Sequence, residues 1–146
     1  MNLSTGVKVT LASGAGSVAT TNINGTTLDM SCFDGVMFIL QAGAITDGNL
    51  AVKAAGGAAS DGSDKSDLTG TSTSETNAQD NDLVILDLYK PLQRYITPVI
   101  VRGGSTGAVV QGLIAIQYSA SNKPTVQDAT TVATTKLVIS PAVGTA

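Results

Sequence analysis

GVMFILQAG, residues Gly35 to Gly43, is apolar on both of its alternating sets: Val36, Phe38 and Leu40 on one, Met37 and Ile39 on the other. Side chains of a β-strand point to opposite faces in turn, so this strand has no face composed for water. One side packs on a second sheet, and the other is covered by something else. DLVILDLY (Asp82 to Tyr89) and GLIAIQY (Gly112 to Tyr118) have the same character. Such strands lie at the centre of a covered sandwich or face another subunit.

Working outward, further strands are expected at Val7 to Ala12, Thr26 to Met30, Val36 to Ala42, Asn49 to Ala54, Leu83 to Tyr89, Tyr95 to Arg102 and Val109 to Ser119, with weaker ones near Ser17 to Thr21 and Lys136 to Ser140. Asn24-Gly25, Asp34-Gly35, Asp47-Gly48, Asp61-Gly62 and Gly103-Gly104 stand between them as turn signals. No amphipathic pattern of ten or more residues marks a helix. Short strands punctuated in this way predict an all-β sandwich or barrel. Pro98 lacks the N–H that a ladder needs, which places its strand at an edge or at a bulge.

Two stretches break the pattern. Residues 55–82 turn abruptly polar, as GGAASDGSDKSDLTGTSTSETNAQDND, and read as a turn at Asp61-Gly62, a short paired stretch around Asp67 to Thr71 and a mobile loop too polar to help the core. After Tyr118 the chain has Pro124 and little sustained period, but ends near an apolar tip at Leu137, Val138 and Ile139. Residues 1–118 therefore form the expected β-sandwich domain. Residues 119–146 form a C-terminal arm that docks on a partner, or else a final strand.

Composition narrows the function. The 146 residues contain no His or Trp and one Cys; 13% are charged, against 42% hydrophobic. Soluble domains are about a quarter charged, so this surface suits coverage by neighbouring subunits. Cys32 has no partner for a disulfide or a zinc site and is expected to be a small buried hydrophobe beside Phe33. The net charge is −3 and the Lys and Arg residues are scattered, which argues against nucleic acid. The N-terminal stretch alternates as a strand, not a signal peptide, and no apolar run approaches the ~20 residues of a membrane span. A soluble protein made in a cytoplasm is expected.

Chemistry is poorly provided for. Without His the usual nucleophile-base triads are excluded, and no motif marks a Ser-Lys pair. Gly103, Gly104 and Gly107 lack the helix pattern that a phosphate loop requires. Asp61, Asp64 and Asp67, with Glu75, Asp80 and Asp82, form an acidic stretch that fits neither an EF-hand nor a β-roll repeat and reads as a solvated turn. The five aromatics, Phe33, Phe38, Tyr89, Tyr95 and Tyr118, fall in or beside strands, so they suit core or interface packing better than a sugar platform. Neither enzyme activity nor a cofactor or metal is expected.

The blocks LDMSCFDGVMFILQAGAITDGN, DLVILDLYKPLQRYITPVIVRGG and VISPAVGTA, in that order, resemble small virion proteins of tailed bacteriophages, the head decoration or cement proteins. The resemblance implies a β-sandwich of jelly-roll type on the outer capsid surface, with the major capsid protein as partner. It implies a structural role, bridging neighbouring capsid subunits and stabilising the mature shell. Self-association is expected as a homodimer or homotrimer, the dimer favoured. Tyr89, Lys90, Arg94 and Tyr95, together with Leu137, Val138 and Ile139, are the interface candidates. A neck or tail structural protein and a receptor-binding β-domain are the alternatives.

Overall fold

A computed structural model describes residues 2–76, 80–139 and 143 of the chain. After one helical turn, α1 (Leu3–Gly6), the chain is built from strands: β1 (Lys8–Ser13), β2 (Gly16–Ala19), β3 (Ile23–Asn24), β4 (Leu28–Asp29), β5 (Phe33–Ile45), β6 (Asn49–Gly57), β7 (Ser66–Asp67), β8 (Thr73–Thr76), β9 (Leu83–Tyr89), β10 (Tyr95–Arg102) and β11 (Ala108–Ala120). They form two antiparallel sheets. Sheet A has the order β1-β11-β5-β9, with β2 also on β11; sheet B has β3-β10-β6-β7, with β4 on β10 and β8 on β6.

Alternation decides what lies between the sheets. Val36, Phe38, Leu40 and Ala42 of β5, Leu113 and Ala115 of β11, and Val84 and Leu86 of β9 point inward from sheet A. Leu50, Val52 and Ala54 of β6 and Ile96 and Ile100 of β10 meet them from sheet B. Each is almost wholly withdrawn from water, and burying a side chain of this size contributes about 1.5–3 kcal/mol. This packed layer is the core of an all-β, two-sheet structure.

Several expectations change. β10 is an internal strand, between β6 and the β3/β4 pair, despite Pro98. The Pro98 carbonyl accepts the Gly25 N–H at 2.8 Å, so the side of Pro98 that lacks a donor faces the break between β3 and β4. The neighbouring strand is interrupted where the proline has nothing to offer. The polar stretch joins the structure further than the short paired stretch expected around Asp67 to Thr71: β7 pairs with Ala55 and Gly56 and Thr71 is buried with its Oγ1 accepting the Ala54 N–H at 3.1 Å, and β8, in what was expected to be a mobile loop, pairs with residues 49–52. An edge strand needs backbone more than apolar side chains, so polarity did not keep it out of the sheet. Residues 77–79 of that stretch lie outside the described residues. Cys32 is exposed, not buried, because it stands in the turn closed by the Phe33 N–H on the Met30 carbonyl.

The C-terminal segment follows the domain before leaving it. β11 runs to Ala120, and residues 121–139 form no strand. Thr125 N–H donates to the Thr5 carbonyl, its hydroxyl to the Val7 carbonyl, and the Thr131 hydroxyl accepts the Leu11 N–H. The segment thus runs alongside β1 in the same direction. Of the weak strand expected near Lys136 to Ser140, residues 136–139 are exposed and irregular, and Ser140 lies outside the described residues.

Candidate functional site

The residues that alternate away from the core on sheet A form the most distinctive surface. Register aligns Leu11 of β1 with Ile114 of β11, Ile114 with Ile39 of β5, and Ile39 with Ile85 of β9. Four aliphatic side chains thus form one row across four strands. The next row is Val9, Ile116, Met37 and Asp87. Leu11, Ile114 and Ile85 are 42%, 41% and 52% exposed, and Leu83 and Tyr89 extend the apolar surface along β9. Isolated exposed hydrophobes are ordinary; a contiguous row of them is a candidate interaction surface.

One end of this face is fixed by a tyrosine. Tyr118 lies across Gly35, where a Cβ would run into the phenol ring, and donates its hydroxyl to an Asp87 carboxylate oxygen at 2.7 Å. The absence of a side chain at Gly35 is what lets the ring lie flat on the sheet. Burial, and then the bond to Asp87, push the Tyr118 phenol up to about 12. The neutral hydroxyl stays a donor across the ordinary pH range.

Beyond Tyr89 the chain crosses from sheet A to sheet B through residues 90–94, which hold two of the sequence candidates, Lys90 and Arg94, between two more, Tyr89 and Tyr95. Lys90 sits in the left-handed region at φ 49° and lies over the Tyr89 ring, 5.3 Å from its centre. Arg94 makes a two-pronged pair with Asp29, at 3.0 and 2.8 Å, and its guanidinium stands 5.0 Å from the Tyr95 ring centre. That pair holds the Asp29 carboxyl down at about 2. Arg94 therefore ties β4 to the start of β10 and is less available to a partner than its charge suggests. Met30, Phe33, Asp34, Lys90, Leu92 and Arg94 line a shallow hollow of about 420 Å³ between this loop and the turn before β5.

The remaining candidates lie apart from these. The C-terminal segment passes Leu11 at Thr131 while running away from the end that holds Lys90 and Arg94. Leu137, Val138 and Ile139 follow it and are exposed, Ile139 at 89%. Tyr89, Lys90, Arg94 and Tyr95 are therefore brought together, whereas the apolar tip belongs to the chain beyond β1. Leu11, Ile39, Ile85 and Ile114 were not singled out from the sequence. Ile39, Ile85 and Ile114 were signalled by the doubly apolar strands and Leu11 by the alternation of β1, but only pairing between residues 46 to 103 positions apart aligns them.

The acidic residues are turned toward their own backbone. Asp64 accepts the Ala58 and Ala59 N–H groups at 2.9 and 3.0 Å, Asp61 accepts Ser63 N–H, and Asp67 pairs with Lys53. Asp47 accepts three successive N–H groups, from Ser105, Thr106 and Gly107, at 2.6, 2.8 and 2.9 Å. Positive φ at Gly104 and Gly107 shapes this nest, and the Ser105 N–H is the main reason the Asp47 carboxyl is held below its ordinary value. These carboxylates lock loops together. Among the described residues no group of three potential ligands stands close enough to hold a metal ion, and no helix is long and apolar enough to cross a membrane.

No protein-family model matches the chain, and no curated protein matches it in sequence.

Proposed function

We propose that this protein is a structural component of a phage particle, one that decorates the head and bridges neighbouring major capsid subunits through the outer face of sheet A. The observation that carries the reading is the aliphatic row Leu11, Ile114, Ile39 and Ile85, in register, with Ile39 half-buried and the other three exposed. A chain with so few charges gains little by leaving such a face in water.

The strand order supports the finer assignment, a jelly roll. Counting β1/β2, β3/β4 and β7/β8 as single strands gives eight, arranged four and four. The chain changes sheet at every connection except the one from β6 to β7/β8, which is the wiring of two interlocked Greek keys. Viral shell domains are commonly built this way, as are lectins and cupins. Fold alone does not assign function; the sequence resemblance to decoration proteins favours the virion among these.

Mechanistically, docking is differential binding. A protein that contacts two neighbouring subunits binds only the lattice that sets them at the correct spacing, so it stabilises that lattice by mass action. Each contact can be weak, because many copies act on one shell. Leu137, Val138 and Ile139 extend beyond the segment held by β1, and in this reading they dock on the neighbouring chain. Counting copies by quantitative mass spectrometry of purified particles tests the proposal. Hundreds of copies per particle agree with a head protein, whereas a ring at the neck or tail holds roughly a dozen or fewer, and absence from particles overturns the virion reading.

A further inference from the structure

The two outer edges of sheet A are treated differently by the fold. Along β1 the C-terminal segment satisfies the edge: Gln127 and Thr131 accept the Val9 and Leu11 N–H groups, and Gln127 and Thr125 donate to the Val7 carbonyl. Along β9, among the described residues, no strand pairs with the outer edge. The Ala42 N–H donates to the Asp82 carbonyl and the Lys90 N–H to the Asp34 carbonyl, and between them Gly35 to Gln41 pair with Tyr89 to Leu83 without a shift. Antiparallel bonding alternates, so Val84, Leu86 and Leu88 bond to β5. Leu83, Ile85, Asp87 and Tyr89 turn their N–H and C=O groups outward.

We infer that this edge pairs with the β9 edge of a second copy of the chain, antiparallel and centred on Leu86, making one continuous sheet across a twofold axis. Natural edges are usually blunted by proline, charged side chains or a bulge; β9 has no proline, lysine or bulge, and its one charge, Asp87, accepts the Tyr118 hydroxyl of the same chain. The register centred on Leu86 is the one that sets all four outward residues of one strand against all four of the other. A shift of two residues leaves groups unpaired at both ends. In the matched register Leu83 faces Tyr89 of the second copy and Ile85 faces its Asp87, so no like charges are opposed. On the core side Leu86 meets Leu86.

The contact is small. Seven residues span about 24 Å, and the edge of a two-layer sandwich of that length offers on the order of 500 Å² per copy, below the ~800 Å² of a standard stable interface. The dimer is therefore reversible and concentration-dependent. Its consequence for docking is geometric: the two outer faces join into one surface, in which the aliphatic row ending at Ile85 meets Asp87 of the second copy and, behind it, that copy's row of Met37, Ile116 and Val9. The inference itself does not rest on the virion reading, because its test uses the isolated chain.

Sedimentation of the full chain from about 10 μM to about 1 mM, a range that brackets weak association, should show the average mass rising from 14.6 kDa toward twice that value. Amide exchange followed over the same range should slow at least about tenfold at Leu83, Ile85, Asp87 and Tyr89 and stay constant at Val84, Leu86 and Leu88. Ile85→Pro removes an N–H that bonds no strand in the single copy, so it should remain folded by circular dichroism and become monomeric. A monomer throughout the range, a dimer whose four outward amides exchange unchanged, or a folded Ile85→Pro that still dimerises would each overturn the inference. If Ile85→Pro does not fold, the exchange pattern of the unaltered chain decides.

Discussion

The Gln127 side-chain amide accepts the Val9 N–H at 2.8 Å and donates to the Val7 carbonyl at 2.8 Å, and its second N–H reaches the Ser4 carbonyl at 3.0 Å. One side chain thus does along β1 what a peptide group of a neighbouring strand would do. Each such bond contributes about 0.5–1.5 kcal/mol net. Gln127→Glu keeps the acceptor and the shape but replaces both donors with oxygen facing carbonyls. It should lower unfolding stability in urea by about 1–3 kcal/mol, and a loss under half a kilocalorie would mean the segment does not hold β1.

The core offers two opposed substitutions. Phe38 is wholly buried at the centre of β5, and Phe38→Ala should cost about 3–5 kcal/mol through lost contact and a residual cavity. Thr10 is also buried, and its hydroxyl has no hydrogen-bond partner among the described residues. A buried polar group left unpaired costs about 1–3 kcal/mol. Thr10→Val, nearly the same shape, should therefore unfold at a higher temperature than the parent. A lower melting temperature would show that the hydroxyl finds a partner.

Acid should loosen the loops before it reaches the core. The Asp29 carboxyl is held at about 2, chiefly by Arg94, and the Asp47 carboxyl is depressed, chiefly by the Ser105 N–H. A depressed folded pKa means that the ionised carboxylate stabilises the fold. That contribution is complete above the ordinary value of about 3.9 and fades as pH falls below it. The melting temperature should be level from about pH 8 to 5 as far as these two groups act and decline below about pH 4. Asp29→Asn and Asp47→Asn should each start lower at neutral pH and fall less steeply in acid. Acid limbs parallel to the parent's would contradict the assignment.

Much of this architecture was legible in the chain because strand and turn chemistry were local. β9 and β10 begin and end where the alternation does, at Leu83 and Tyr89 and at Tyr95 and Arg102. β6 outran its expected end at Ala54 because Gly56 and Gly57 carry no side-chain signal although they pair with Ile96 and Tyr95. The tail's hold on β1 was hidden for a different reason. It runs through the side chains of Thr125, Gln127 and Thr131, which leave no period in the sequence. Of the candidate surface, the exposed tip at Leu137 to Ile139 and the Tyr89 to Tyr95 group were visible beforehand. That Arg94 is engaged by Asp29, 65 residues away, was not.

Ile114 sits in the middle of the outer face of sheet A, the face proposed to meet the partner, 41% exposed and on an internal strand. Ile114→Glu puts a charge into the aliphatic row at a stability cost of about 1–2 kcal/mol, which lowers the melting temperature by only about 2–8 °C. The most direct measurement is the occupancy of this variant on particles stripped of the native protein, read against the parent at equal concentration. The variant should be folded and its binding weakened at least tenfold, the equivalent of about 1.4 kcal/mol per contact. A folded Ile114→Glu that decorates particles at the parent's occupancy would contradict docking through this face.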